Sequence, residues 1–138
     1  MFRLATIGRT AAVAATVGAL ALTATGTAHA VGVNASSADA RFTGSYYVTN
    51  EKVKVYGTLK DFGAHRGQSQ AFVAIQSSEG PPYNYPLDPA VNNGKSHTYN
   101  VAPPYGGVFI SGTITVCSWV NSGGGSVWKC GASVGIYK

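Results

Sequence analysis

Two cysteines and two tryptophans near the C-terminus constrain the fold more than any other feature. Cys117 and Cys130, Trp119 and Trp128, and Asn121 and Ser126 stand at equal distances on either side of Gly123-Gly124. If the chain reverses at Ser122-Gly123-Gly124-Gly125, the three pairs face each other across two antiparallel strands. Opposed residues in such a ladder share a face, as do residues two apart on one strand. The cystine and the Trp pair then lie side by side. Consecutive glycines suit this reversal, because the tightest hairpin turns need positive φ.

A cystine presupposes an oxidising compartment, and the N-terminus supplies a route to one. Residues 1–30 read as a secretory signal peptide: Arg3 and Arg9, an uncharged apolar run from Ala11 to Leu22, and the small-x-small site Ala28-His29-Ala30. The run is shorter than the roughly 20 residues a membrane span needs, which disfavours an uncleaved anchor. No Arg-Arg pair marks the twin-Arg route, and no cysteine follows the cleavage site to carry a lipid. The expectation is a secreted, extracellular chain without membrane attachment after cleavage. Val31 to Lys138 would then be the working part, as one domain.

Composition agrees. Hydrophobic residues make up 45% and charged residues only 11% of the chain, which argues against disorder. The 10 Lys+Arg against 5 Asp+Glu overstate the basicity of the working part, since Arg3 and Arg9 leave with the signal. Two cysteines are too few for a disulfide-dense mini-protein or a four-cysteine zinc site. A bridge from Cys117 to Cys130 closes a loop of about 14 residues, worth on the order of 3 kcal/mol in the chain-entropy model. That is a large share of a small domain's stability.

The remaining pattern is one of strands and turns. Val53, Val55 and Leu59 alternate with Lys52, Lys54 and Lys60, giving one apolar and one wet face. Further strands are expected at Arg41 to Val48, Gln70 to Ser77, Ser96 to Val101, Gly107 to Val120 and Ser126 to Tyr137. Val31 to Ala40 reads as a loose lead-in. Gly- and Pro-rich breakers separate these segments, and no window has a helical period. About six short strands in a chain this size predict a small antiparallel β-sandwich, immunoglobulin-like, held by one disulfide.

The last two strands conflict. Val108, Ile110, Ile114, Val116 and Val120 form the apolar face of the first, opposite to Cys117. In the second, Trp128, Cys130, Ala132, Val134 and Ile136 are apolar on the cystine face. The two strands point to different cores. A bulge near Gly112, or a first strand buried on both faces, would reconcile them. The two Trp are expected to pack on the cystine inside the sandwich, as in immunoglobulin-like cores. The alternative is an exposed aromatic platform for the apolar faces of sugar rings.

Catalytic signals are weak. Neither a G-x-S-x-G elbow nor an H-E-x-x-H helix is present. Asp61, His65 and Ser69 are evenly spaced but fall in a Gly-rich turn, where solvated polar residues are expected. The enzyme alternative is a small secreted hydrolase such as a ribonuclease, using Glu51, Glu79, His65, His97 and Arg66. No basic run tracks a phosphate backbone, so no nucleic-acid partner is expected. No metal or other cofactor is expected either. Asn34-Ala35-Ser36 matches a glycosylation sequon, which matters only in a host that glycosylates.

The most distinctive remaining stretch is Pro81-Pro82-Tyr83-Asn84-Tyr85-Pro86-Leu87-Asp88-Pro89. Prolines restrict it before any partner arrives, lowering the entropy lost on binding. Tyr offers large contact area at small entropic cost. The functional expectation is a secreted, non-enzymatic binding protein that recognises an extracellular protein or glycan through this stretch as a protruding Pro- and Tyr-rich loop. Its contact residues would be Tyr83, Tyr85, Pro82 and Pro86, with Trp119 and Trp128 as a second surface.

Overall fold

The computed structural model describes residues 29–63 and 65–138. The signal-peptide reading falls outside the described residues, apart from His29 and Ala30. The chain is all-β, without helix among the described residues, in two antiparallel sheets. The smaller sheet, A, contains β1 (Val31–Ser36), β2 (Ala40–Val48), β3 (Val53–Asp61) and β7 (Ser96–Val101), in the order β1-β2-β3-β7. The larger sheet, B, is built on β4 (Gln68–Ser77), β5 (Tyr83–Pro86), β8 (Phe109–Ser122) and β10 (Val134–Ile136). Its order is β10-β8-β4-β5, with β6 (Val91–Asn92) added on β4 and β9 (Gly125–Cys130) on β8. Sheet B curls into a half-barrel.

Period-two patterning places the core between the sheets. Val53, Val55 and Leu59 of β3 are fully buried, as are Ala71, Val73 and Ile75 of β4 and Ile114 and Val116 of β8. Each such Val, Leu or Ile contributes roughly 1.5–3 kcal/mol by leaving water. The lysines of β3 point the other way, so the alternation read from the sequence is the alternation of burial. The N-terminal segment is not a loose lead-in. Val33 and Ala35 alternate into the core, and β1 pairs with β2 from Val31↔Tyr46 to Ser36↔Arg41.

The conflict between the last two strands is resolved twice. On β8 a bulge lies at Ile110, two residues before Gly112. Ser77 pairs with Phe109 and Gln76 with Ser111, leaving Ile110 unopposed and 60% exposed while Phe109 is buried. An extra residue reverses the facing of everything beyond it. The second segment, expected as one strand from Ser126 to Tyr137, is two. Cys130 pairs with Cys117, but Val134 pairs with Ile114. Four steps on this side match three on β8, so residue parity switches across 131–133. Cys130 and Trp128 face outward, whereas Ile136 is fully buried. Gly131 sits at the switch: a Cβ there would collide with the Ser36 carbonyl oxygen.

One end of the sandwich is closed by buried polar groups. Ser69 Oγ donates to Asp61 Oδ2 at 2.7 Å and lies 2.7 Å from Ser118 Oγ, which in turn lies 2.5 Å from Ser37 Oγ. Asp61 Oδ1 accepts from the Gly63 N–H at 2.7 Å, and Asp39 Oδ2 from the His65 N–H at 3.1 Å. Asp39, Asp61, Ser69 and Ser118 have no exposed surface. Asp61 and Ser69 are therefore not solvated turn residues. Hydrogen bonds offset the cost of burying them, and the chain of hydroxyls ties β3, β4 and β8 to the β1–β2 turn.

Candidate functional site

The face of sheet B that points away from the core carries an aromatic row. It begins with the hairpin read from the sequence. Cys117↔Cys130, Trp119↔Trp128 and Asn121↔Ser126 are cross-strand pairs, and the disulfide is formed. The turn is Gly123-Gly124, with φ of 51° and 107°. Both values lie in the region a type I′ turn requires, which other residues rarely adopt.

The hairpin's aromatic side chains lie outside the core, not within it. On β8 the residues facing inward are Ile114, Val116, Ser118 and Val120, so Trp119 faces outward and is 40% exposed. Trp128 is half-buried on the same face, its ring centroid 5.3 Å from that of Trp119, with the planes at 56°. Beyond it stands Phe72 of β4, centroid 6.4 Å from Trp128 and nearly perpendicular to it at 88°. Cys117 is buried beneath this row, at 2% exposure.

A shallow depression of about 260 Å³ adjoins Trp128. Phe72, Ala74, Asn84, Thr115, Trp128 and the cystine line it. Thr115 Oγ1 lies 2.6 Å from Ser133 Oγ, and Gln70 Nε2 donates to Asp88 Oδ1 at 2.8 Å. The face thus combines aromatic carbon with hydroxyl and amide groups and, at its edge, the Asp88 carboxylate. It can stack on apolar surface and exchange hydrogen bonds, and it offers no nucleophile activated by a base.

Sequence reasoning missed four lining residues, Phe72, Ala74, Asn84 and Thr115. Phe72 has the opposite parity from Ala71, Val73 and Ile75, which is a readable signal. Ala74, Asn84 and Thr115 carry no comparable signal, because their placement depends on which strands become neighbours.

The Pro-Tyr stretch is not a protruding loop. Residues 83–86 form β5, a short edge strand on β4, with Tyr83↔Ile75, Tyr85↔Val73 and Pro86↔Phe72. Tyr85 packs against the core, while Tyr83 is 43% exposed and Pro82 is exposed. The two Tyr ring centroids are 6.3 Å apart. Proline is compatible with an edge strand, where a missing N–H is not needed.

The residues the hydrolase reading needs do not meet. The Phe109 N–H donates to the Asn50 carbonyl, which puts Glu51 at one end of the sandwich. Glu79 adjoins Gly106 and Gly107 at that same end. His65 is at the other end, where its Nδ1 accepts from the Asn121 N–H at 3.3 Å. His97 stacks edge-on against Tyr99 at 4.8 Å. Asp61, His65 and Ser69 do not form a relay through the imidazole: Ser69 bonds Asp61 directly and is inaccessible.

Perturbed titrations fall away from the aromatic row. Burial first, then the charge of Asp88, pushes the Tyr99 hydroxyl up to about 12. Burial, then Glu51, raises Tyr105 above the ordinary range. Among the described residues no group of three or more His, Cys, Asp or Glu is placed to hold a metal ion. No helix among the described residues is long and apolar enough to cross a membrane. No protein-family model matches the chain, and no match to it was found among curated proteins or solved structures.

Proposed function

We propose that this chain is a secreted binding module whose ligand is a glycan and whose contact surface is the outer face of sheet B. The observation that carries the reading is the Trp119–Trp128 pair, held outward on a cystine beside the depression lined by Asn84 and Thr115. Exposed aromatic clusters are uncommon on monomers without a partner. Sugars present C–H faces to aromatic rings and hydroxyls to amide and hydroxyl groups, and this face supplies both. The N-terminal signature and the disulfide support an extracellular setting.

The strand order supports the finer classification of the fold as immunoglobulin-like. Sheet A places β7 beside β3, and sheet B places β8 beside β4, so the chain crosses between sheets in Greek-key fashion. Such a scaffold presents surfaces for recognition without any requirement for catalysis.

A glycan array probed with the purified chain tests the reading. Binding to at least one glycan class, lost in Trp128→Ala, is the expected result. Absence of glycan binding, or binding unchanged in Trp128→Ala, rejects it. A second reading rests on β5: Tyr83 is exposed on an edge strand flanked by Pro82 and Pro86, which suits an extracellular protein partner. Capture of one specific protein from culture medium, abolished by Tyr83→Ala with folding intact, favours this reading over the first.

A further inference from the structure

Resting on the glycan reading, we infer that the ligand is a single uncharged polysaccharide chain in solution, not the flat surface of a crystalline glycan. The argument is geometric. A flat array of sugar rings is contacted by several aromatic residues only if their ring faces are nearly coplanar. Along the row Trp119–Trp128–Phe72, adjacent planes meet at 56° and 88°. Rings so inclined cannot all lie face-on against one plane, and any that do not present edges to it. A lone chain turns about each glycosidic bond, so successive sugars can present their faces at different angles. The row therefore matches a twisted strand.

The depression supports the same conclusion. Its volume of about 260 Å³ lies below the roughly 300 Å³ at which drug-sized ligand pockets begin. It receives one ring of a longer chain and does not enclose an oligomer. Its position beside Trp128 leaves Trp119 to meet a neighbouring sugar. Charge at the depression argues against a polyanion. Its polar neighbours Gln70, Asn84, Thr115 and Ser133 are amides and hydroxyls, and the charged side chain beside them is the Asp88 carboxylate, which accepts from Gln70 Nε2. His65 and Arg66 adjoin the Trp119 end of the row, where Gly67 packs on Trp119, and do not line the depression. A polyanion seated at Trp128 would meet a carboxylate and lose water with no cation to replace it.

Both tryptophans of the chain belong to this row, so intrinsic emission reports on it without a label. The test uses the full chain, with three probes. These are a panel of soluble uncharged polysaccharides, a carboxylated polysaccharide, and insoluble cellulose and chitin powders. At least one soluble uncharged polymer is expected to shift the emission and retard the chain in affinity electrophoresis. Trp128→Ala is expected to weaken that retardation at least tenfold, while the powders leave the chain in the supernatant. The wild-type emission shift keeps the test decisive even if the variant fails to fold.

Depletion by the powders, sensitive to Trp128→Ala, overturns the inference but leaves the glycan reading standing. Response to the carboxylated polymer alone overturns the assignment of a neutral ligand. Response to none of the probes overturns the inference together with the glycan reading.

Discussion

β9 and β10 occupy the same edge of β8 and come from one stretch of sequence, yet they serve opposite sides of the sheet. In β9, Trp128 and Cys130 face outward and build the aromatic row. In β10, Ile136 is fully buried and Val134 packs against the core. Along the sequence all four fall on even positions, so a regular strand would put them on one face. One additional residue across 131–133 separates them. The comparison teaches that facing is a property of register, and that a single bulge can divide an apparently uniform stripe into an outward aromatic surface and a core.

That division can be tested by substitution on either side of it. Ile136→Ala removes a fully buried side chain and is expected to cost about 2–5 kcal/mol. Urea denaturation checks this, and a loss below about 1 kcal/mol would mean that β10 is not part of the core. On the other half, replacing both cysteines, Cys117→Ala with Cys130→Ala, is expected to cost about 2–4 kcal/mol. The same denaturation assay applies, and an unchanged midpoint would show that the outward half needs no covalent support.

Gly131→Ala probes the switch itself. Because its Cβ meets the Ser36 carbonyl, we expect about 1–3 kcal/mol of destabilisation, the range for overpacking a close contact. Thermal unfolding of this variant matching the parent would show that β9 and β10 can shift away from β1 freely. The smallest effect is expected at Val127, which is 44% exposed. Val127→Ala should stay within about 0.5 kcal/mol. A larger loss would place part of β9 in the core and weaken the contrast between the halves.

Legibility followed the range of the interactions involved. The hairpin register was readable because it depends only on residues near one another and on a glycine turn between them. The alternation of Val53, Val55 and Leu59 was readable because one apolar face of a strand is enough to define it. β1 was missed because Val33 and Ala35 are small and their alternation is faint. The burial of Asp61 and Ser69 was missed for a different reason. It depends on Ser118 and Ser37, which are distant in sequence and meet them only when the sheets stack.

The Pro-Tyr stretch illustrates the same limit. Its prolines fix φ at their own positions. They do not reveal that β4 has a free edge on which residues 83–86 can pair. Tyr85 is thereby drawn against the core and Tyr83 left exposed, although the two look equivalent in sequence.

By itself the sequence determined an all-β chain, a cystine joining Cys117 to Cys130, and the pairing of Trp119 with Trp128. Hydrophobic period, turn chemistry and cysteine spacing are local properties, and they act before any tertiary contact forms. Only the tertiary structure decided that the tryptophans face outward. That outcome rests on β8 burying Ile114, Val116 and Val120 against sheet A. With one face of β8 committed to the core, the cystine and both tryptophans were left on the other.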